Sequence, residues 1–525
     1  MNENLSAFLS TLDPARVLSG TDDAFLTGAA LRENSQRVAA GLRRLGVQAG
    51  DRIGLWLPNT PEWLELFFAC AQLAAIAVSI NTRFRAHEVG DILQRSGCKI
   101  LALSPGFRAL DFGAILAQIT SAQSYDVAYT VLVGPAPSLS VPLPGVPIAY
   151  VDLRTAVLEP LPVVPAETRC VIFTTSGTTS APKFVCHTQA AVALHAREVA
   201  AHFGFDGPNA RVLQALPLCG VFGFTQALGA LAGGASLFML PVFDAQASAR
   251  LLDESSVTHM CGSDEMMDRI LETTTVSRPF QSLRYFAYAS FNPALEDIAE
   301  RAFARGVVMR GLYGMSECQA LFALQRLDAP LAIRRQGGGL PVSPSARIRI
   351  VDPESGDVLP HDVAGEIQLR GPSLFKEYYG DPEATARAFT ADGYFRTGDL
   401  GYLRSAGDFC FLTRLGDVLR LGGYLVSPLE IELILDQHPG VSASQVVGVT
   451  YAGRPAAIAF VIAGSAMKFD EKVLRDWCAT LLAGYKVPQR IFSLVEFPTT
   501  PSANGTKIQR TLLRELALQR LVGAE

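Results

Sequence analysis

Residues 174–183 read TTSGTTSAPK and directly follow the apolar run CVIF at residues 170–173. A short apolar run bounded by turn-forming residues predicts a buried strand, so the hydroxyl-rich segment should begin where that strand ends. Glycine lets backbone N–H groups turn toward an anion, hydroxyl groups add donors, and lysine adds a positive charge. We therefore predict a polyphosphate-binding loop with the candidate residues Thr175, Ser176, Gly177, Thr178, Thr179 and Lys183.

The spacing in this segment excludes two common nucleotide-binding loops. A Walker A loop requires Gly-Lys followed by Ser or Thr, whereas Pro182 precedes Lys183 and Phe184 follows it. The chain contains no G-x-G-x-x-G sequence, so a dinucleotide-binding fingerprint is also absent. Taken alone, the segment is also compatible with a Ser/Thr-rich surface turn.

The composition indicates a soluble globular protein. The chain has 525 residues, 49% of them hydrophobic, so it can form more than one core. Its formal net charge of −5 argues against a nucleic-acid partner. The N-terminus lacks the basic start of a secretory signal, and the longest apolar stretch, residues 67–80, is too short to span a bilayer.

Nine cysteines without a C-x-x-C pair suit reduced thiols and predict a cytoplasmic location. The seven histidines show no metal-binding spacing.

The order of apolar patterns predicts an α/β protein. From residue 51 to about 240, helical and β-branched runs alternate, which predicts helix-covered parallel sheets. Strand patterns at 346–351 and 365–370 predict a small β-barrel that completes a large domain. Beyond residue 414, a helix at 428–437, strands at 445–449 and 457–462, and a helix at 470–482 predict a small α/β unit.

Further motifs follow in a fixed order: YGMSE (313–317), YFRTGDL (394–400), RLGD (414–417), GGY (422–424), PLEIE (428–432) and PSANGTKIQR (501–510). In this order and at these separations, the set resembles the adenylate-forming superfamily, which includes acyl- and aryl-CoA synthetases, adenylation domains of peptide synthetases and firefly luciferase. Residues 50–80 look like the first strand, helix and strand of that family. The resemblance covers essentially the whole chain. It implies a large domain at 1–413, a hinge at 414–417 and a mobile C-terminal lid at 418–525.

The reaction implied by the resemblance has two steps. A carboxylate attacks the α-phosphate of ATP and releases pyrophosphate, and a thiol, that of coenzyme A, then attacks the acyl adenylate. Mg²⁺ and a cation must offset the repulsion between two anions. The resemblance assigns catalytic roles to Lys507, to Ser316 as a phosphate-binding hydroxyl and to Glu317 as the magnesium ligand. It assigns nucleotide binding to Tyr313, which would stack on adenine, to Gly314, to Asp399, which would accept the ribose hydroxyls, and to Arg414.

Three departures from the family pattern modify this picture. The loop against adenine reads Ser290, Phe291 and Asn292, where relatives usually have small residues. Gly220 stands where many relatives place a histidine beside the acyl pocket. Gly416 occupies the hinge position that is commonly Asp or Lys, which predicts a looser hinge.

The acid and its acceptor follow from the same resemblance. The predicted acyl pocket consists of Gly220, Val221, Phe222, Leu312 and Met315. Because none of these is charged, we expect an apolar monocarboxylic acid that is aromatic, cyclic or of medium chain length. Gly422 and Gly423 should line the tunnel for coenzyme A.

Four other functions remain to be weighed against a CoA ligase. A stand-alone ligase that loads a carrier protein would use the same adenylating residues, and so would a luciferase-like oxygenase. A catalytically silent nucleotide-binding relative is disfavoured because Lys507, Glu317, Asp399 and Arg414 are all present. A serine hydrolase elbow around Ser316 fails because residue 318 is Cys rather than Gly. The sequence does not indicate which oligomeric state the protein adopts.

Overall fold

A computed structural model of the chain describes residues 3–15, 17–19, 25–119, 125–134, 142–174, 182–292, 295–415, 419–421, 424–451, 454–464, 469–482, 484–502 and 505–522. The described helices up to residue 415 are α1 (Leu5–Ser10), α2 (Gly28–Arg44), α3 (Pro61–Gln72), α4 (Ala86–Ser96), α5 (Phe112–Ala117), α6 (Tyr150–Arg154), α7 (Gln189–Phe203), α8 (Val221–Ala232), α9 (Ala245–Glu254), α10 (Asp264–Glu272), α11 (Ile298–Ala304), α12 (Leu331–Arg334) and α13 (Pro382–Ala388).

The described strands of the same region are β1 (Val17–Ser19), β2 (Phe25–Thr27), β3 (Arg52–Trp56), β4 (Ile76–Ser79), β5 (Ile100–Leu103), β6 (Tyr129–Leu132), β7 (Val146–Ala149), β8 (Arg169–Thr174), β9 (Phe184–Thr188), β10 (Arg211–Gln214), β11 (Ser236–Met239), β12 (His259–Ser263), β13 (Tyr285–Ala289), β14 (Met309–Tyr313), β15 (Ala323–Leu324), β16 (Gly338–Pro341), β17 (Arg347–Val351), β18 (Gly365–Arg370), β19 (Glu377–Tyr378), β20 (Phe395–Leu403) and β21 (Phe409–Arg414).

Eight of these strands form a largely parallel sheet in the order β19-β9-β8-β4-β3-β5-β6-β7. Strands β3 to β8 pair in parallel, whereas β9 and β19 at one edge are antiparallel. Strand β8 ends at Thr174, so the hydroxyl-rich segment begins at a strand end, as predicted. The strand at residues 52–56, expected to be the first, is preceded by the short antiparallel ribbon β1-β2.

Alternate residues of the central strands face two different cores. Ile53 and Leu55 on β3 belong to the main core, whereas Trp56 belongs to a second one. Helices α1, α2, α3 and α7 contribute to the main core, and α4 and α5 contribute to the second. Because successive side chains of a strand point to opposite faces, this sheet is covered by helices on both sides. The predicted helix-covered parallel sheet is confirmed.

A second sheet of eleven strands combines a parallel half with an antiparallel half, in the order β11-β10-β12-β13-β14-β15-β16-β21-β20-β18-β17. The first five strands in this order pair in parallel, and the others pair antiparallel. The antiparallel strands expected at 346–351 and 365–370 are present as β17 and β18. These strands lie in the region predicted as a small β-barrel that completes the large domain, and the short strands β15 and β16 join this region to the parallel half by hydrogen bonds.

The last part of the chain forms a smaller α/β unit, as predicted. Its described elements are β22 (Leu419–Leu421), β23 (Tyr424–Val426), α14 (Pro428–Asp436), β24 (Val441–Tyr451), β25 (Arg454–Ala463), α15 (Glu471–Leu481), β26 (Arg490–Leu494), β27 (Thr499–Ser502), β28 (Gly505–Ile508) and α16 (Arg510–Val522). The three-stranded sheet β24-β25-β26 has α14 and α15 against one core and α16 against another. Both cores consist of residues from 419 onward.

None of the helices in the described ranges combines the length and apolarity needed to cross a membrane. All nine cysteines are free thiols, and eight of them are buried.

Candidate functional site

The predicted binding segments follow the carboxyl ends of strands in both large sheets. Strands β8, β13 and β14 end at Thr174, Ala289 and Tyr313, each immediately before a predicted binding segment. Ligands of α/β proteins bind outside the carboxyl ends of such strands. Tyr378 contacts both Lys183 and Glu317, so segments associated with the two sheets lie side by side.

Some predicted site residues lie outside the described residues. These are Thr175, Ser176, Gly177, Thr178 and Thr179 of the polyphosphate loop, together with Gly416, Gly422 and Gly423. Only the backbone of Lys507 is described, on β28 and opposite Thr500 of β27. The roles assigned to these residues therefore stay predictions.

Glu317 is half-buried and is fixed by contacts to its carboxylate and to its backbone. The Tyr378 hydroxyl donates to Glu317 Oε1 at 2.9 Å. The Phe375 backbone N–H donates to the Glu317 carbonyl oxygen at 2.8 Å. Burial, and next the charge of Glu317, raises the pKa of Tyr378, so the hydroxyl keeps its proton and acts as the donor.

The loop that carries Ser316 and Glu317 folds tightly over Gly314. A Cβ atom at Gly314 would lie 1.2 Å from the Ala320 carbonyl oxygen, so no larger residue fits on this backbone. Gln319 and Ala320 have φ angles of 61° and 60°. Non-glycine residues rarely adopt this left-handed conformation, which costs on the order of 1–3 kcal/mol each. The surrounding contacts must supply that free energy.

Two buried histidines bind the same loop. His187 Nε2 lies 2.8 Å from the Ser316 carbonyl oxygen, and His195 Nε2 lies 3.2 Å from the Gln319 carbonyl oxygen. Because a carbonyl oxygen can only accept, each ring carries its proton on Nε2. Burial lowers the pKa of His187 to about 4 and that of His195 to about 3, so both rings are neutral near pH 7.

The Asp399 carboxylate joins three strands. The Tyr313 hydroxyl of β14 donates to Asp399 Oδ2 at 2.7 Å, and Arg414 Nε of β21 lies 3.0 Å from Asp399 Oδ1. Asp399 on β20 is only 2% exposed. Burial raises its pKa to about 6, against the opposing effects of Arg414 and Tyr313. Oδ1 is buried beside the Arg414 guanidinium, and within the described residues no aligned hydrogen bond reaches it.

The Tyr313 ring is packed within the protein. Its centre lies 5.1 Å from that of Phe409 in an edge-to-face arrangement, and the residue is 5% exposed. Stacking of this ring on adenine, which the sequence suggested, stays a prediction.

Asp264 organises the segment predicted to lie against adenine. Its Oδ2 accepts hydrogen bonds from the backbone N–H groups of Phe291 and Asn292, both at 2.8 Å, and from Ser290 Oγ at 3.1 Å. Asp264 is the first residue of α10 and is fully buried. This carboxylate therefore fixes the backbone that follows β13.

The predicted acyl-pocket residues belong to two different clusters. Phe222 and Leu312 are buried in the main core, and Val221 packs against that core at the start of α8. Met315 packs instead against the clusters that contain Tyr313 and Tyr378. Gly220 is the residue immediately before α8. The described contacts thus leave the pocket assignment a prediction.

Glu317 fits a magnesium ion that is bound mainly through substrate phosphates. The described part of the chain contains no group of three or more side chains able to hold a metal ion. Mg²⁺ is usually bound by one or two carboxylates together with phosphate oxygens and water. A single half-buried carboxylate near Lys183 satisfies that requirement.

Two families of known proteins match successive parts of this chain. The AMP-binding enzyme family matches residues 11–379, and the C-terminal domain of AMP-binding enzymes matches residues 430–504. The chain belongs to the AMP-binding enzyme family. Its predicted membership of the adenylate-forming superfamily is confirmed.

Individual relatives match almost the full length of this AMP-binding enzyme. A 4-coumarate–CoA ligase from Vanilla planifolia is 27% identical over 99% of this chain and 93% of its own length. A feruloyl-CoA synthase from an Amycolatopsis species is 30% identical over 92% of each chain. The crystal structure of ATP-bound MatB from Rhodopseudomonas palustris has a TM-score of 0.83 and 27% identity, and the match covers 98% of this chain and 99% of that one.

Sequence reasoning missed four residues that hold the site: Tyr378, Asp264, His187 and His195. Asp264 had a local signal, because a Ser-Asp-Glu start after an apolar run is typical of a helix N-terminus. The other three carry no spacing signal, since each acts on a loop that is distant in sequence.

We predict that Gly314→Ala disrupts the site of this AMP-binding enzyme. The new Cβ would force the Ala320 carbonyl away and displace Ser316 and Glu317. A displacement of about 1 Å can cost about a hundredfold in rate, which pyrophosphate exchange would measure. Gly484→Ala is the matched control, because a Cβ at Gly484 meets nothing within 4 Å. Exchange within twofold of wild type for Gly314→Ala would contradict the loop geometry.

We predict that adenosine binds more weakly as the pH falls through about 6, the pKa of Asp399. Above this pH the carboxylate is ionised and accepts the ribose hydroxyls, whereas below it protonation removes the charge. Adenosine is the suitable probe because it has no phosphate that titrates in this range. Calorimetric titration from pH 5 to 8 would measure the effect.

Two variants separate Asp399 from other titrating groups. Asp399→Asn should bind adenosine weakly and without the pH step. Asp436→Asn removes a carboxyl group whose pKa burial also raises to about 6, but which lies on α14, and it should keep the step. A step that persists in Asp399→Asn would assign it to another group.

Proposed function

We propose that the chain is an AMP-forming acyl-CoA synthetase that activates a mainly apolar carboxylic acid and transfers it to coenzyme A. The observation that carries the nucleotide-binding part is the buried Asp399 carboxylate, which Tyr313 and Arg414 hold where strands β14 and β21 end. The 4-coumarate–CoA ligase and the feruloyl-CoA synthase support coenzyme A as the acceptor, because both match more than nine-tenths of the chain.

The proposed first step joins the acid to the α-phosphate of ATP. Mg²⁺, held by Glu317 and the phosphates, would offset the negative charge that meets there. Lys183 and Lys507 would add positive charge, and Ser316 would donate its hydroxyl to the α-phosphate. Asp399 and Arg414 would bind the ribose, while the segment fixed by Asp264 would border the adenine.

The proposed second step requires the smaller unit to move. We assign residues 1–413 to the large domain, 414–417 to the hinge and 418–525 to the lid. The separate cores of the smaller unit support this division, because a unit with its own cores can rotate without being unfolded. In the second state Gly422 and Gly423 would line the coenzyme A tunnel.

The free thiols suit a reducing cytoplasm.

The proposed substrate class is an aromatic, cyclic or medium-chain monocarboxylic acid. Gly220 adds no side chain just before α8, and the candidate lining residues are uncharged. An unpaired charge on the substrate would be costly to bury among them. Within this class we put aromatic acids slightly ahead, and the relatives named for 4-coumarate and feruloyl groups support that order.

A panel of acids in a pyrophosphate-exchange assay tests the proposal. Exchange with an apolar acid, followed by thioester formation with coenzyme A, is the expected result. Acyl transfer only to a carrier protein would favour the carrier-loading ligase. No exchange with any acid would indicate a catalytically silent relative.

We predict that Lys507→Ala impairs adenylate formation but spares thioester formation from a supplied acyl adenylate. Loss of one charge-stabilising group typically costs about a hundred- to a thousandfold in rate. The two half-reactions are measured separately, by pyrophosphate exchange and by thiol consumption. Lys472→Ala removes an exposed lysine on α15 and should leave both rates unchanged. Equal losses in both half-reactions of Lys507→Ala would contradict the assigned role.

We predict that Gly220→His impairs the use of bulky acids more than that of small ones. The imidazole would occupy space that a large acyl group needs in the pocket. The ratio of kcat/KM for a cinnamate-type acid to that for a short aliphatic acid is the measurement. If Gly220 only accommodates the buried Phe222, the ratio will equal that of the wild type.

A further inference from the structure

Tyr378 contacts two charged groups of the site from opposite parts of its side chain. Its hydroxyl donates to Glu317 Oε1 at 2.9 Å. Its ring lies below Lys183, with Nζ 4.4 Å from the ring centre. The first contact has the length of an ordinary hydrogen bond. The second is attractive, since an ammonium group is attracted to an aromatic face within about 6 Å.

The position of Tyr378 is fixed on every side. It is 4% exposed and lies on edge strand β19, where it pairs with Val185 of β9. Its ring centre lies 4.6 Å from that of Phe375. Its backbone N–H donates to Thr385 Oγ1 at 2.9 Å. A side chain held in this way can hold others in place.

Strand β19 also contacts the described end of the predicted polyphosphate segment. Antiparallel pairing with β9 is continued by a hydrogen bond of 2.7 Å from the Tyr379 N–H to the Phe184 carbonyl oxygen, next to Lys183. The same strand segment therefore contacts Lys183 directly and fixes the backbone beside it. The neighbouring Phe375 N–H binds the Glu317 carbonyl oxygen at 2.8 Å.

We propose that Tyr378 is a positioning residue that orients the Glu317 carboxylate for Mg²⁺ and couples it to Lys183. This inference rests on the proposed function and extends it. The hydroxyl holds Oε1, which restricts rotation of the carboxylate and leaves Oε2 to meet the metal. Among the described residues, no hydrogen bond to Oε2 competes with that role. Groups that hydrogen-bond to metal ligands typically contribute about ten- to a hundredfold to metal affinity.

Tyr378→Phe tests the hydroxyl while it retains the ring beneath Lys183. Tyr379→Phe is the matched control, because it deletes the same atom from the adjacent residue. Binding of Mn²⁺, a spectroscopic substitute for Mg²⁺, is measured by electron paramagnetic resonance in the presence of a non-hydrolysable ATP analogue. Binding of the analogue with EDTA is measured in parallel, and thermal unfolding monitors the fold.

The expected result is a ten- to hundredfold weaker Mn²⁺ affinity for Tyr378→Phe, with analogue binding in EDTA within twofold of wild type. Tyr379→Phe should match the wild type in both measurements. Equal weakening with and without metal would indicate a purely structural role and overturn the proposal. An unchanged Mn²⁺ affinity in Tyr378→Phe would also overturn the proposal. The same holds if nucleotide binding by the wild type does not depend on metal.

A double variant gives an independent check. Glu317→Gln should weaken Mn²⁺ binding by itself, and adding Tyr378→Phe should then cause no further loss, because the two residues act as one unit. Additive losses in the double variant would show that Tyr378 and Glu317 act independently and would overturn the proposal. Pyrophosphate exchange by the wild type reports on the proposed function separately, so a failure there is distinguishable from a failure of the Tyr378 assignment.

Discussion

The buried carboxylate of Asp399 connects the parts of this enzyme that must act together. It binds Tyr313 at the end of the parallel half of the second sheet and Arg414 at the end of the antiparallel half. Removing a charged carboxylate from water costs several kcal/mol. The buried Asp399 carboxylate is therefore stable only because these partners offset the loss of water. Arg414 is also the last residue of β21, immediately before the proposed hinge. One side chain thus links the two halves of the sheet, the proposed ribose site and the chain segment that leads to the smaller unit.

The loop after Tyr313 depends on this anchor and on contacts that oppose its strain. Two consecutive left-handed residues, Gln319 and Ala320, are unfavourable by themselves. Hydrogen bonds from His187 and His195 to backbone carbonyl groups of the loop stabilise it, and Tyr378 holds the carboxylate at its outer end. Strain next to functional groups is common, because it holds them in one geometry that an unstrained loop would not keep.

The fold and the described part of the candidate site were predictable where the signal is local in sequence. The end of β8 followed from an apolar run beside turn-forming residues, and Asp399 from its motif. The residues that were missed act over long separations: Tyr378 binds a residue 61 positions away, and His187 binds one 129 positions away. The joining of the predicted barrel region to the parallel sheet depends on β15, which has only two residues. Pairing over such distances is set by tertiary contacts, which no short pattern reveals.

Burial determines which groups of the site are neutral and which are charged. Tyr313, Tyr378, His187 and His195 are nearly inaccessible, and burial shifts the pKa of each toward the neutral form. These groups can hold loops and carboxylates without the cost of a buried charge. The charged side chains lie nearer to solvent: Lys183 is exposed, and the Arg414 side chain is 55% exposed. Asp399 differs from these groups, because it is buried and the proposed ribose contact needs it as an anion. Its raised pKa is the consequence, and the charge of Arg414 keeps that rise small enough for the carboxylate to be ionised at neutral pH.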